Sequence, residues 1–109
     1  MCTGSLLLGA AGLLNGLKAT THWAALELLE GFGAEPVSER VVVEGKIVTA
    51  AGVSAGIDMA LTLLALASGT ETAQAVQLAI EYDPHPPFDA GSPRTAPEGV
   101  RQRALDLLR

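Results

Sequence analysis

The sequence predicts a fold of the α/β class, in which helices pack on a small β-sheet. Two β-branched runs within VVVEGKIVTA indicate paired strands, and several apolar stretches repeat every three and four residues, as helices do. Ala, Leu, Val and Gly carry most of the apolar content, whereas aromatic residues make up 4% of the chain. Such small side chains suit close packing of helices on a sheet. With 109 residues, the chain is long enough for one domain.

The first third of the chain predicts a helix, a strand and a second helix. Residues 5–14 form the first helix; it is apolar nearly all round, so we expect it to be buried. Asn15 and Gly16 end it, because glycine accepts the left-handed conformation that follows many helices. Residues 18–21 form a short strand. Residues 23–30 are amphipathic, with Glu27 and Glu30 on a solvent face, and the sequence GFG ends this second helix.

The middle of the chain predicts a β-hairpin followed by two helices. The hairpin turns tightly at Glu44-Gly45, between the two β-branched runs. Ser54 is a plausible N-cap for a helix over residues 57–68. Gly69 separates that helix from the next one, at about residues 71–82. The order of elements is α/β in character, although three short strands are few for a helix that needs a sheet to cover it.

The last part of the chain predicts an extended loop and a final helix. Residues 83–97 hold five of the six prolines, which fix φ and lack an N–H donor. Residues 98–108 form a weakly amphipathic helix. We therefore assign residues 1–95 to a partial domain and residues 96–109 to a C-terminal helical tail.

Charge and cysteine content exclude several classes of protein. The net charge is −5 and the seven Lys and Arg residues are scattered, so we expect no nucleic-acid partner and no membrane partner. The apolar run SLLLGAAGLL follows no basic residue and is too short to span a bilayer, which argues against a targeting segment. A single cysteine precludes an internal disulfide and favours a cytoplasmic location.

The main candidate catalytic residues lie in Cys2-Thr3-Gly4, at the start of the first predicted helix. A thiol there faces unpaired backbone N–H groups and the positive end of the helix dipole, which favour the nucleophilic thiolate. The same N–H groups can stabilise the negative charge that develops during attack on an unsaturated carbon. Gly4 permits close approach of the backbone, and Thr3 adds a hydroxyl. Because lone cysteines are more often small core residues, the pattern alone is weak.

The remaining polar residues have structural interpretations as well as functional ones. His22 is a catalytic candidate or a packed histidine at a strand end. Ser54 is first a cap, although ligands of α/β sheets bind in loops at the carboxyl ends of strands. Asp58 first complements a helix N-terminus. His85 has no carboxylate or cysteine at ligand spacing, so we expect no metal site, and the glycines of the first helix lack the residues of a phosphate-binding loop.

Three stretches of the chain together resemble one known family. CTGSLLLGAAGLLNGLKATTHWAALELL, GKIVTAAGVSAGIDMAL and AIEYDPHPPFDAGSP look in order and spacing like the ThiJ/PfpI superfamily, also called the DJ-1/PfpI family. The resemblance implies the C-terminal portion of a flavodoxin-like, class I glutamine amidotransferase-like αβα sandwich. It implies that Cys2 is the nucleophile on a sharp strand-to-helix elbow. A threonine next to it, Thr3, resembles the isonitrile hydratase branch, and His22 follows a Thr-Thr pair as in several relatives.

The chain departs from the family pattern because the elbow normally lies in the middle of the domain. We therefore expect it to correspond to the C-terminal half of a larger domain. The expected other half holds the first βαβ units and an acidic partner for the thiol. Association with such an N-terminal half, or a homodimer, would complete the fold.

The resemblance predicts a cysteine-dependent hydratase or hydrolase that acts on a small molecule, without a cofactor. The reaction that fits best converts an isonitrile to an N-substituted formamide, with Cys2 and Thr3 as catalytic residues, His22 as a third, and Gly4 and Ser54 contacting substrate or oxyanion. As given, the chain is expected to be inactive or impaired. The alternatives are a ligand-sensing domain related to those of helix-turn-helix regulators, an inert remnant, or an enzyme with Cys2 as N-terminal nucleophile after methionine removal.

Overall fold

A computed structural model describes residues 1–109. One 3₁₀ turn, Cys2–Gly4, leads into helix α1, and a longer 3₁₀ segment lies between the first two strands. The elements in order are α1 (Ser5–Ala10), β1 (Lys18–Ala19), the 3₁₀ segment (Trp23–Phe32), β2 (Glu35–Pro36), β3 (Val41–Glu44), β4 (Ile47–Ala50), α2 (Ala55–Ser68), α3 (Thr70–Ala79) and α4 (Glu98–Leu107).

Helix α1 is shorter and more exposed than its sequence predicts. It ends at Ala10, and the chain then passes through two glycines with positive φ, Gly12 at 78° and Gly16 at 75°. The helix thus ends before the predicted stop at Asn15 and Gly16, and the predicted burial of the helix is also wrong, because Leu7 is 75% exposed. Only the face of α1 that packs on the 3₁₀ segment is covered, and Gly9 is buried there.

The 3₁₀ segment replaces the amphipathic α-helix predicted at residues 23–30. Its apolar residues recur at strict intervals of three, and side chains at i and i+3 eclipse in a 3₁₀-helix, so they form one stripe. The stripe consists of Trp23, Leu26, Leu29 and Phe32, of which Leu29 is fully buried. Both predicted solvent-facing residues, Glu27 and Glu30, are exposed. Gly33, with φ 77°, ends the segment as the GFG sequence predicts.

A short parallel pair, β1 and β2, was not predicted as such. Lys18 pairs with Glu35 and Ala19 with Pro36. The N–H of Glu35 donates to the Leu17 carbonyl at 2.8 Å, and the N–H of Val37 donates to the Ala19 carbonyl at 2.9 Å. Pro36 occupies the alternate position, where no donor is needed, and this explains how a proline fits in the strand.

Strands β3 and β4 form the predicted antiparallel hairpin. Glu44 pairs with Ile47, so the two-residue turn is Gly45-Lys46, one residue beyond the predicted centre. Gly45 has φ 59°, and a glycine with positive φ at the first turn position is typical of type II′. The Thr20 N–H donates to Thr49 Oγ1 at 3.0 Å and thereby ties the hairpin to the end of β1.

The C-terminal half is helical, as predicted. Helices α2 and α3 pack against each other and are separated by Gly69, whose φ is 91°. Residues 83–97 form the extended loop, and α4 follows. No helix combines the length and the apolarity that crossing a bilayer requires.

The molecule is thin and has a small core. Twelve of the 109 residues are buried, and the largest buried cluster comprises Leu14, Ala19, Leu29 and Ala34. The accessible surface is 7361 Å², whereas a compact monomer of this mass exposes about 5,700 Å². The radius of gyration is 15.0 Å, against about 13 Å for a compact domain of this length. Leucines, isoleucines or valines are exposed on every helix.

Gly9→Ala tests the contact between α1 and the 3₁₀ segment. A Cβ at Gly9 would lie 2.7 Å from Phe32 Cγ, so the ring or the helix must move. Overpacking of this kind costs about 1–3 kcal/mol, and we expect a lower melting temperature by circular dichroism. Gly31→Ala is the control, because a Cβ there meets open space. Equal melting temperatures for the two variants would contradict the close contact.

Candidate functional site

Cys2 has a backbone conformation that residues other than glycine rarely adopt. Its φ is 49°, in the left-handed region, which costs a non-glycine residue about 1–3 kcal/mol. Two hydrogen bonds hold it there. The Cys2 N–H donates to the Ala51 carbonyl at 3.0 Å, and Thr21 Oγ1 donates to the Cys2 carbonyl at 2.7 Å. Cys2 is the first residue of the 3₁₀ turn Cys2–Gly4, which leads into α1, so the cysteine occupies a sharp turn into a helix.

These hydrogen bonds bring Cys2 to the carboxyl ends of two strands. Thr21 lies two residues after β1, and Ala51 directly follows β4. Thr21 is 1% exposed, so its hydroxyl donates from a position shielded from water. Ligands of open α/β sheets bind at the carboxyl ends of strands, and the cysteine of this chain lies at such an edge.

His22 occupies the same edge and has a defined orientation. Its Nδ1 accepts a hydrogen bond from the Ala24 N–H at 3.3 Å, which caps the 3₁₀ segment. In the neutral imidazole the proton is therefore on Nε2, which becomes a donor. The ring lies against Gly52, where an added Cβ would be 2.9 Å from His22 Cδ2. On its other side is Trp23, with 5.7 Å between ring centroids.

A cavity of about 850 Å³ opens beside His22. Its volume is within the range of small-molecule sites. The walls come from the 3₁₀ segment, the loop after β4 and the C-terminal part of the chain; they comprise residues 20–28, 38–40, 51–54 and 91–94, with Arg101 and Leu105. The Arg101 guanidinium lies 5.8 Å from the centroid of the Trp23 ring, so α4 forms part of the wall.

The predicted residues divide between the cavity and its margin. His22 and Ser54 line the cavity, whereas Cys2, Thr3 and Gly4 do not. Cys2 is half-buried, and Thr3 and Gly4 are exposed. The Gly4 N–H donates to the Met1 carbonyl at 3.1 Å, so a substrate oxygen would have to compete for it.

Ser54 precedes helix α2 as predicted, but it does not cap the helix with its side chain. Its backbone is already helical, with φ −71° and ψ −21°, whereas a capping residue needs an extended conformation. Ser54 Oγ instead accepts a hydrogen bond from Arg40 Nη2 at 3.2 Å. The same guanidinium donates through Nε to Asp58, and the Tyr82 hydroxyl donates to the other oxygen of that carboxylate.

Arg40 and Thr21 are the polar residues of this edge that the sequence did not single out. The hydrogen bond to Asp58 is the main cause that raises the pKa of Arg40 above its usual value, so the guanidinium is charged at every physiological pH. Thr21 belongs to the Thr-Thr pair that precedes His22, which was the one available signal. No sequence signal pointed to Arg40.

No carboxylate forms a hydrogen bond with Cys2, whose partners are Ala51 and Thr21. Glu27 and Glu30 are exposed on the 3₁₀ segment, Glu27 and Glu39 line the cavity, and Asp58 is engaged by Arg40 and Tyr82. No group of three or more His, Cys, Asp or Glu side chains is placed to hold a metal ion. The cavity and its margin therefore offer one thiol, one imidazole, hydroxyls, two carboxylates and the guanidinium groups of Arg40, Arg94 and Arg101.

Comparisons with known proteins identify relatives of this chain. The isonitrile hydratase of Pseudomonas putida is 57% identical over 113 residues, which cover 100% of this chain and 50% of that protein. The HTH-type transcriptional regulator CdhR of Pseudomonas aeruginosa is 40% identical over 73 residues, 65% of this chain and 22% of that protein. The chain thus spans half the length of the hydratase and less of the regulator.

Two solved structures are also similar to this chain. A ThiJ/PfpI family protein from Pseudomonas syringae matches with a TM-score of 0.93 and 50% identity, over 98% of this chain and 44% of that one. DJ-1 of Schizosaccharomyces pombe matches with a TM-score of 0.65 and 26% identity, over 72% and 41%. The predicted α/β class and its flavodoxin-like character are confirmed. The DJ-1/PfpI family model also matches residues 1–66, which include Cys2 and its hydrogen-bond partners Thr21 and Ala51. The chain therefore belongs to the DJ-1/PfpI family.

Proposed function

We propose that this chain supplies the nucleophile of an isonitrile hydratase, which adds water to an isonitrile and yields an N-substituted formamide. The observation that carries the proposal is the left-handed conformation of Cys2, held by hydrogen bonds at two strand ends beside a cavity. A 57% identical isonitrile hydratase supports the substrate class. We also propose a cytoplasmic location, where the thiol stays reduced.

The proposed reaction proceeds in two steps. The thiolate of Cys2 forms a bond to the terminal carbon of the isonitrile, and that carbon takes up a proton, which gives a thioimidate. Water then adds to the same carbon, the nitrogen takes up a proton, and the C–S bond breaks. The thiol is regenerated, and the net change is addition of one water molecule.

His22 and Thr3 have complementary roles in this scheme. His22 presents Nε2 as a donor beside Gly52, from where it can deliver a proton to a substrate in the cavity. The Thr3 hydroxyl, adjacent to the nucleophile and exposed, can orient the attacking water. Ser54 contributes a hydroxyl to the cavity wall, and Gly4 offers its N–H if the Met1 carbonyl releases it.

We propose that an acid and a covering surface come from a further polypeptide segment, equivalent to the part of the relatives that this chain does not match. The accessible surface exceeds that of a compact monomer by about 1,700 Å², and many large apolar side chains are exposed. Leu7 on α1 and Leu66 on α2 are 75% and 67% exposed. Burial of this surface would stabilise the fold and close the site.

A ligand-sensing domain is the second candidate function. The cavity walls include His22 and Ser54 but not Cys2, so a ligand can occupy the cavity without meeting the thiol. The similarity to a transcriptional regulator supports this alternative. The two functions differ in turnover, because a sensor binds a small molecule and releases it unchanged.

The first test compares the 109-residue chain with a chimera that joins the unmatched N-terminal half of the Pseudomonas putida hydratase to it. We expect little formamide from the chain alone and clear turnover from the chimera, because general acid–base help is worth about 10²–10⁴ in rate. Formamide production is followed by chromatography. We also expect size-exclusion chromatography to show association of the chain alone and a monodisperse chimera. An active chain, or a folded but inactive chimera, would contradict the proposal.

Cys2→Ser in the same chimera tests the nucleophile. We expect loss of formamide production with an unchanged melting temperature, since Cys2 is half-buried and serine is nearly isosteric. Ser68→Ala, at the exposed end of α2, is the control and should retain full activity. Mass spectrometry of the unsubstituted chimera, quenched during turnover, should detect the isonitrile adduct on Cys2. Retained turnover in Cys2→Ser would show that Cys2 is not the nucleophile.

Gly52→Ala tests the position of His22. The added Cβ would lie 2.9 Å from His22 Cδ2 and push the ring from its place. A misplaced catalytic group costs up to about a hundredfold in rate, and we expect a fall in kcat of the chimera of up to that size. Gly91→Ala is the matched control, because Gly91 lines the same cavity but a Cβ there meets open space. Equal kcat values for the two variants would argue against a catalytic His22.

A further inference from the structure

Arg40 bridges three separate parts of the chain at the margin of the cavity. It lies directly before β3, donates to Asp58 on α2 and donates to Ser54 in the loop between β4 and α2. The Tyr82 hydroxyl, from the end of the α3 region, completes the shell around the Asp58 carboxylate. A planar guanidinium with donors in a fixed fork can make such a bridge, whereas an ammonium cannot fix both partners in one plane.

The loop that Arg40 reaches is the wall that faces His22. Gly52 is in van der Waals range of the imidazole, and Ser54 follows two residues later, with both residues lining the cavity. Ala51, at the start of this loop, accepts the hydrogen bond from the Cys2 N–H, and its own N–H donates to the Arg40 carbonyl at 3.0 Å. Arg40 therefore contacts both ends of the loop from Ala51 to Ser54, which adjoins Cys2 and His22.

The exposure of the bridge indicates a geometric role more than a contribution to stability. The side chains of Arg40 and Asp58 are 51% and 27% exposed. Ion pairs with this access to water contribute little to the free energy of unfolding. The bonds of the bridge instead join β3, α2 and the loop after β4 in one arrangement.

We propose that Arg40 is a positioning residue that holds the Gly52–Ser54 wall against His22, with Asp58 and Tyr82 fixing the orientation of its guanidinium. The kinetic part of this inference rests on the proposed hydratase function, whereas the positional part does not. The wall shapes the cavity, so its release should weaken substrate binding more than it slows the chemical step.

Arg40→Lys keeps the positive charge beside Asp58 but removes the fork. In the 109-residue chain we expect the Hδ2 and Hε1 resonances of His22 to shift or broaden in NMR spectra. In the chimera we expect KM to rise about tenfold, the value of one hydrogen bond to a charged group, with kcat changed less than about twofold. Ser54→Ala, which removes the group that Arg40 holds, should reproduce the NMR change without disturbing Asp58.

Arg109→Lys is the matched control, because Arg109 pairs with Asp106 on the exposed face of α4 and touches no part of the cavity. It should leave the His22 resonances and KM unchanged. Unperturbed His22 resonances in both Arg40→Lys and Ser54→Ala would overturn the inference. If the NMR change occurs but the unsubstituted chimera forms no formamide, Arg40 still positions the wall and the hydratase function alone is rejected.

Discussion

The site depends on the pair of hydrogen bonds that pins Cys2 between the ends of β1 and β4. Each bond requires a strand to end at one particular residue. The Ala51 carbonyl is available because the hairpin pairs Val41 with Ala50, and the Thr21 hydroxyl is close because Thr20 is tied to Thr49. A slip of the hairpin by one residue would turn the buried Thr49 outward and remove the tie. The register of a four-residue hairpin therefore determines the backbone conformation of the cysteine.

The fold is built on little buried surface. One cluster of Leu14, Ala19, Leu29 and Ala34 joins the N-terminal elements, while α2 and α3 pack mainly on each other. Burying one leucine side chain is worth roughly 1.5–3 kcal/mol, so each exposed leucine is a contribution that the isolated chain does not obtain. The apolar composition of the first helix suggested that it is buried, but the other elements cover only one side of α1.

Local chemistry made much of the fold predictable. Gly33 and Gly69 end or separate elements where the sequence indicated, because only glycine accepts those dihedrals readily, whereas α1 ends before the stop predicted at Gly16. The turn of the hairpin was displaced by one residue, since the choice between Glu44-Gly45 and Gly45-Lys46 depends on pairing across strands. Strand β2 was missed because two residues that include a proline carry no strand signal.

The margin of the site was less predictable, for a physical reason. Arg40 is 14 and 18 residues from its partners Ser54 and Asp58, and Tyr82 is 24 residues from Asp58. Such bonds exist only after the hairpin and α2 have packed, so no local pattern announces them. Ser54 was placed correctly at the helix start, yet its hydroxyl was assigned to the helix instead of the arginine. Cys2 and His22 were predicted as site residues mainly through family resemblance, because a lone cysteine and a lone histidine carry little signal.

The thinness of the molecule links its assembly to its electrostatics. The smallest dimension is 19 Å, so every charged group lies close to water and mobile ions, which screen its interactions. Water therefore screens the thiol, the imidazole and the Arg40–Asp58 pair as long as the cavity is open. A surface that covers the cavity would lower the local dielectric constant and strengthen each of these interactions at once. Substitutions far from Cys2 that weaken such a cover would then lower reactivity without altering any residue of the site.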